Sequence, residues 1–280
     1  RIPVDDFTHQ PPLDDPDWQS RWVTTSAASH WGMSGGMLQF RPPQSVSSGD
    51  DAASRDDRID WVRYRHWIRE GGRHRCRVPL AEWPSRVAEP GLLTDGFRYD
   101  AAARELEAVG AVRFSALSAW LERIDSEEAR AALRTLYLRS HQPPLSDVCA
   151  YHHPDVARRE SPIHDLMLEL ELTVHQPQGQ FVLAMHDGCH ELECRLDFAA
   201  GEVLLTADGK PDVHRSAPLP EALRAGKPAL LTMSLFDRQV VVAVDGRELF
   251  PPLLYAGSGE RPPLPESPVR FGAAVTRLDV

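Results

Sequence analysis

Lysine is almost missing from these 280 residues: Lys210 and Lys227 are the only two, so nearly all of the positive charge is arginine. A mechanism that needs a lysine base therefore has two candidates, both in turn or loop contexts. Cysteine is also scarce. Cys76, Cys149, Cys189 and Cys194 form no CxxC pair, which leaves a zinc ribbon unsupported. Cys194 falls on the apolar side of an expected strand and reads as a buried free thiol. Cys76 and Cys149 each lie beside an expected element, but spacing alone does not establish a disulfide between them. No apolar run approaches the roughly 20 residues needed to span a bilayer. The chain begins with Arg1 and shows no signal peptide, so the expectation is a processed product or an excised segment.

Positive charge is also outweighed. With 31 Lys and Arg against 41 Asp and Glu, the formal net charge is −10, which argues against a nucleic-acid partner, since such binding leans on phosphate neutralisation. No serine lies in a G-x-S-x-G turn and no Ser–Lys spacing resembles a dyad, so nucleophilic catalysis finds no assembled motif.

What the chain does have is alternation. Between Ile163 and Val244, Leu166, Leu168, Leu170, Leu172 and Val174 point one way while Met167, Glu169, Glu171 and Thr173 point the other. Phe181 to Met185 forms a second strand, turned at His186-Asp187-Gly188. Leu192, Cys194, Leu196 and Phe198 then alternate with Glu191, Glu193, Arg195 and Asp197. Period-two alternation with one apolar face marks antiparallel strands packed on a core from one side. Val203 to Ala207, Leu230 to Phe236, Gln239 to Val244 and Val269 to Val275 continue the series. Turns at Ala199-Ala200-Gly201, Asp208-Gly209 and Asp245-Gly246 suit hairpins.

The first half is less regular. Residues 1–21 read as an irregular lead-in, 22–40 as two short strands, and 41–58 as a surface loop. DWVRYRHWIR is the strongest strand there, with RHRCRV as its expected return after Gly71-Gly72. Residues 80–99 read as loops, and ARELEAVGAV is ambiguous between helix and strand. Leu117, Trp120, Leu121 and Ile124 lie at helical spacing. Asp125 or Ser126 then caps a second helix whose first turn carries Glu127 and Glu128. The expected fold is mainly β, an antiparallel two-sheet sandwich over residues 1–280 with a mostly helical insertion at about 80–142, and SLFDRQVVVAVDGRELF resembles the strand, tight turn and strand of concanavalin-like jelly rolls. Two domains split near Pro144 are the alternative.

Three surfaces invite chemistry. Glu169, Glu171, Glu191 and Glu193 offer an acidic face, where sandwich glycosidases place an acid and a nucleophile. The E-x-D-x-x-E pattern of those enzymes is not met, because ELEC lacks the Asp and the third acid, and no tryptophan follows Trp120. Trp61, Arg63, Arg65 and Trp67 share a second face that suits phospholipid headgroups or an acidic peptide. His152-His153 and the His186, Cys189, His190 group lack the spacing of a closed site, so no metal and no cofactor is expected.

The order of landmarks adds a resemblance. RIPVDD, DWVRYRHW, a helix ending in LYLRSH, PLSDVCAYHH, DLMLELELT, CRLDFAAGEVLL and VRFGAAVTRLDV follow one another along nearly the whole chain. This series resembles the extracytoplasmic insertion of planctomycete-type signal peptidase I-like proteins. Where that family reads P-[IV]-T-D-x-Y-x-Y-N, this chain ends the motif on His153. The family's catalytic boxes (S-M-x-P-T, a lysine base and G-D-N-x-S-x-D-S-R) are absent; Met33-Ser34-Gly35 reverses the first pair and lacks the proline. The resemblance implies a noncatalytic accessory domain of a membrane-bound serine endopeptidase. Its partners would be the catalytic domain of the same polypeptide and the precursor protein or membrane surface. It assigns no catalytic residue here. A carbohydrate-binding or glycoside-hydrolase-like sandwich and a purely structural spacer are the alternatives.

Overall fold

The computed structural model describes residues 20–34, 37–42, 59–67, 72–88, 90, 95–148, 160–224, 226–257, 259, 261–274 and 277–280. The lead-in to residue 19, most of the 41–58 loop, Cys149, His152 and His153 lie outside them. The chain divides into two compact units. Trp22–Tyr64 with Leu145–Val280 form one, and Arg65–Pro144 with Ser20 and Arg21 belong to the other.

The first unit opens with β1 (Trp22–Thr24), β2 (Trp31–Ser34), β3 (Met37–Phe40) and β4 (Asp60–Tyr64). The second contains β5 (Arg77–Pro79), β6 (Phe97–Asp100), β7 (Glu105–Ala108), α1 (Phe114–Arg123) and α2 (Glu127–Ser140). The first then resumes with β8 (Ser146–Val148), β9 (Glu160–Pro162), β10 (Leu166–Gln176), β11 (Gln180–His186), β12 (Glu191–Asp197), β13 (Glu202–Ala207) and β14 (Lys210–Pro218). It ends with β15 (Pro228–Phe236), β16 (Gln239–Val244), β17 (Arg247–Glu248), β18 (Leu253–Leu254), β19 (Val269–Ala274) and β20 (Arg277–Asp279).

The first unit is an antiparallel two-sheet jelly-roll sandwich. One sheet runs β1-β4-β19-β11-β12-β13-β14, and the other runs β17-β16-β15-β10-β20-β3-β2 with β18 paired to β16. Alternate residues of both sheets meet in one core. Leu168, Leu170, Leu172, Leu231, Met233, Val240 and Val242 come from the second sheet; Phe181, Leu183, Leu192, Cys194, Leu196, Val203 and Phe271 come from the first. Alternation is what lets each strand bury one face and wet the other. Trp22, Tyr64, Trp31, Phe40, Phe181 and Phe271 add edge-on and tilted ring contacts with centroids 5.1–6.0 Å apart, each pair worth about 0.5–1.5 kcal/mol beyond its buried area.

The hairpin turns follow from their residues. Asp208 and Gly209, and Asp245 and Gly246, all take positive φ, which a two-residue turn needs to match strand twist. Asp237 and Arg238 do the same without a glycine, at φ 48° and 62°. Cys194 is fully buried, and burial pushes its thiol up to about 12; Cys76 is also a free thiol, pushed up to about 11 by burial.

The other unit has its own core of Val78, Leu80, Phe97, Leu106, Leu117, Trp120, Leu133 and Leu136. Ser126 caps α2 as its position suggests, accepting a hydrogen bond from the Ala129 N–H at 3.3 Å. Two expectations are corrected in this region. RHRCRV does not return beside DWVRYRHWIR: Arg77–Pro79 pairs with β7, while β4 pairs with β1 and β19. Residues 97–100, expected as loop, form β6, and the ambiguous ARELEAVGAV supplies β7 at the centre of a three-stranded sheet.

Candidate functional site

The residues singled out in the sequence are regrouped by the fold. Glu169 and Glu171 sit on β10, whose neighbours are β15 and β20, whereas Glu191 and Glu193 sit on β12, between β11 and β13 of the other sheet. Both pairs point away from the shared core, so they occupy the outer faces of two different sheets. The acidic face read from alternation is therefore two faces.

The aromatic and basic stripe is divided as well. β4 ends at Tyr64, so Trp61 and Arg63 belong to the sandwich, while Arg65 and Trp67 belong to the helical unit. There Arg65 donates to the Ser20 carbonyl at 2.6 Å, and its backbone N–H bonds the Arg21 carbonyl at 2.7 Å. Trp67 is 2% exposed and stacks on His141 with centroids 5.6 Å apart and planes 16° from parallel. A ring so enclosed presents no surface to a ligand. Between them, burial and the nearby Arg21 charge lower the His66 pKa to about 4, which keeps the imidazole neutral.

What the fold brings together is one half of each set. On the outer face of the first sheet, Arg63 lies directly opposite Arg270 of β19, and Trp61 lies opposite Gly272. Gly272 is required there. A Cβ would meet Ile59 Cγ2 at 2.4 Å, the Asp60 carbonyl at 2.8 Å and Trp61 Cε3 at 3.0 Å. The missing side chain lets the indole settle onto the sheet, where Trp61 packs with Ile59, Val182 and Ala274. Arg270 lies over the Trp61 ring with its guanidinium carbon 4.3 Å from the centroid, a cation–π distance. The same guanidinium donates to Glu191 Oε1 at 2.6 Å.

The network continues across the sheet. Arg195 donates to Glu193 Oε1 at 2.7 Å and to Gln180 Oε1 at 3.1 Å, and Gln180 donates to Asp197 Oδ2 at 3.0 Å. Both carboxylates of β12 that a glycosidase would need as acid and nucleophile are thus held by arginine. Among the described residues the Arg63 side chain makes no hydrogen bond or ion pair, and it is exposed.

A second cluster surrounds the β11–β12 turn. Asp187 is 1% exposed, and its Oδ1 accepts the backbone N–H groups of Cys189 at 2.8 Å and His190 at 2.7 Å. Its Oδ2 accepts the Tyr255 hydroxyl at 2.9 Å and faces Arg261 at 3.8 Å. Burial alone would raise this carboxyl, but the hydrogen bonds outweigh it and hold Asp187 below the usual carboxylate range. Burial and the Asp187 charge raise the Tyr255 phenol. The sequence marked Asp187-Gly188 as a turn and gave no sign of the burial, because Tyr255 reaches it from a distant segment.

The histidines of this cluster do not converge. His186 Nδ1 accepts the Gly188 N–H at 2.9 Å, His164 Nδ1 lies 3.0 Å from the Asp187 carbonyl, and His190 Nδ1 lies 2.8 Å from Asp208 Oδ2. Among the described residues no three His, Cys, Asp or Glu side chains form a group that could hold a metal ion. The cluster fixes the turn.

No family model matches the chain, and no curated protein does. Solved structures similar to it include mouse laminin α1 chain domains LG4-5, at 16% identity and TM-score 0.30, covering 49% of this chain and 36% of that one. A carbohydrate-binding module from Bacillus subtilis is similar at 12% identity and TM-score 0.31, covering 42% and 73%. A β-glucanase from Bacillus licheniformis is similar at 12% identity and TM-score 0.30, covering 41% and 56%. Likeness at this level lends the chain no ligand and no reaction.

Proposed function

We propose that this chain is a noncatalytic accessory domain of a membrane-bound signal peptidase I-like serine endopeptidase. In this reading it sits on the extracytoplasmic side, tethered through its parent protein, and positions or recruits precursor protein at the outer face of the membrane. The order of landmarks along the chain supports the parent. The observation that carries the noncatalytic part is the engagement of Glu191 by Arg270 and of Glu193 by Arg195, with Glu169 and Glu171 on the other sheet. With two of the carboxylates engaged by arginine and the other two on a different sheet, the four do not converge as an acid and a nucleophile. Among the described residues no helix is long and apolar enough to cross a membrane.

The test is an assay of the 280-residue chain alone against fluorogenic precursor peptides. The expected result is no turnover, and robust serine-dependent cleavage would end the accessory reading. A glycan array run beside it addresses the carbohydrate alternative, which gains if binding is found and is lost on Glu191→Gln and Glu193→Gln substitution.

A further inference from the structure

The ladder between β4 and β19 sets two arginines opposite each other on an outer face. Like charges directly across a ladder destabilise it, and here Glu191 relieves one of them and leaves the other without a partner among the described residues. Arg270 is held in place by the indole beneath it and by Glu191, at 2.6 Å, so its guanidinium is oriented before any ligand arrives. Arg63, one strand away, is exposed and able to join it.

We infer that Arg63 and Arg270 form a binding site for a ligand carboxylate, with Glu191 as its resident competitor. Two guanidinium forks on adjacent strands match the planar, two-oxygen geometry of a carboxylate, which arginine holds by paired N–H···O bonds. Trp61 acts as the platform for Arg270. Its ring is taken by that guanidinium and set against Gly272, so it offers no bare face on which a neutral sugar would stack. Recognition is by charge, and an incoming carboxylate exchanges with Glu191 at Arg270 while Arg63 supplies the second fork. The assignment does not depend on which parent protein carries the domain.

Two sources can present that carboxylate, an acidic peptide or an acidic saccharide, and the experiment separates them. A hexaglutamate peptide and a trigalacturonate are titrated in turn into the full chain at low salt, with arginine Nε–H NMR signals as the readout. Arg63→Gln is expected to weaken binding about ten-fold, the worth of one charge-assisted hydrogen bond. Glu191→Gln is expected to strengthen it, because the competitor is removed while a polar side chain remains. Response to either probe with this pair of opposite signs supports the site, and the probe that responds names the source. No response to either probe overturns it, as does binding that ignores Arg63→Gln or falls with Glu191→Gln. The Arg63 side chain makes no hydrogen bond to a described residue, so an unchanged near-ultraviolet spectrum is expected for Arg63→Gln and keeps the result interpretable.

Discussion

The two sheets of the sandwich share one core, yet their outer faces follow opposite rules. The first carries Arg270 with Glu191 two strands away, Arg195 with Glu193 along one strand, and Gln180 with Asp197 across neighbouring strands. Strands of the second hold every large hydrophobic side chain that is exposed among the described residues, Met33, Met37, Met167, Leu230, Phe236 and Leu254, and all but Met33, which pairs with inward-facing Leu38, point to the outer face. Phe236 and Leu254 are 62% and 70% exposed and stand in one row, each opposite Gln239 of β16. The same inward alternation thus permits an arginine–carboxylate network on one side and, on the other, a face that sets exposed hydrophobic side chains among Glu169, Glu171 and the His175–Asp279 pair. Burial constrains only half the residues of each strand.

Variants at three places probe this difference, in falling order of effect. The largest belongs to the turn of the ion-paired sheet. Asp187→Ala removes the acceptor of two backbone N–H groups and of Tyr255, and is expected to cost about 2–3 kcal/mol in denaturant unfolding. Its pH dependence has a definite sign. Because the folded carboxyl titrates below its ordinary range, its contribution is complete above that range and is lost as pH falls towards the lowered value. Asp187→Asn should therefore flatten the acid limb of the stability profile, and a limb as steep as in the parent chain would remove Asp187 from the account.

Next comes the platform. Gly272→Val places a Cβ against the Asp60 carbonyl and Ile59, and a destabilisation of about 1–3 kcal/mol is expected from the overpacking. Intrinsic fluorescence of Trp61 should change with it; an unshifted melting temperature would show that the indole has room to move. The smallest effect on folding belongs to the second sheet. Phe236→Ser with Leu254→Ser should leave stability within about 0.5 kcal/mol, since neither side chain is buried. The double variant should nevertheless bind less of a hydrophobic dye. Equal dye binding by both proteins would mean that these side chains are not what the dye binds.

The strands were legible because alternation is a local property. Leu166 to Val174 and Leu192 to Phe198 announce their inward faces within a few residues, and Ser126 announces α2. Sheet membership was hidden, because which ladder a strand joins depends on partners far along the chain. Glu169 and Glu191 look alike in sequence and lie on separate sheets. β14 escaped notice for another reason: KPDVHRSAP, at an edge of its sheet, is polar and holds two prolines, as edge strands tolerate. At the candidate site, Trp61 and Arg63 were visible as a pair, but Arg270 and Gly272 gave no signal of their own. Their meaning arises only from register.

That register also sets the order in which the molecule can assemble. The hairpins β11–β12, β12–β13, β13–β14 and β15–β16 close short loops and can form as soon as they are made, whereas β4 must wait for β19, some two hundred residues downstream. During synthesis β3 and β4 therefore leave the ribosome before β20 and β19, their distant partners, exist. The pairing of Asp60–Arg63 with Arg270–Ala273, and of Phe40 with Leu278, belongs to the last and slowest stage of folding.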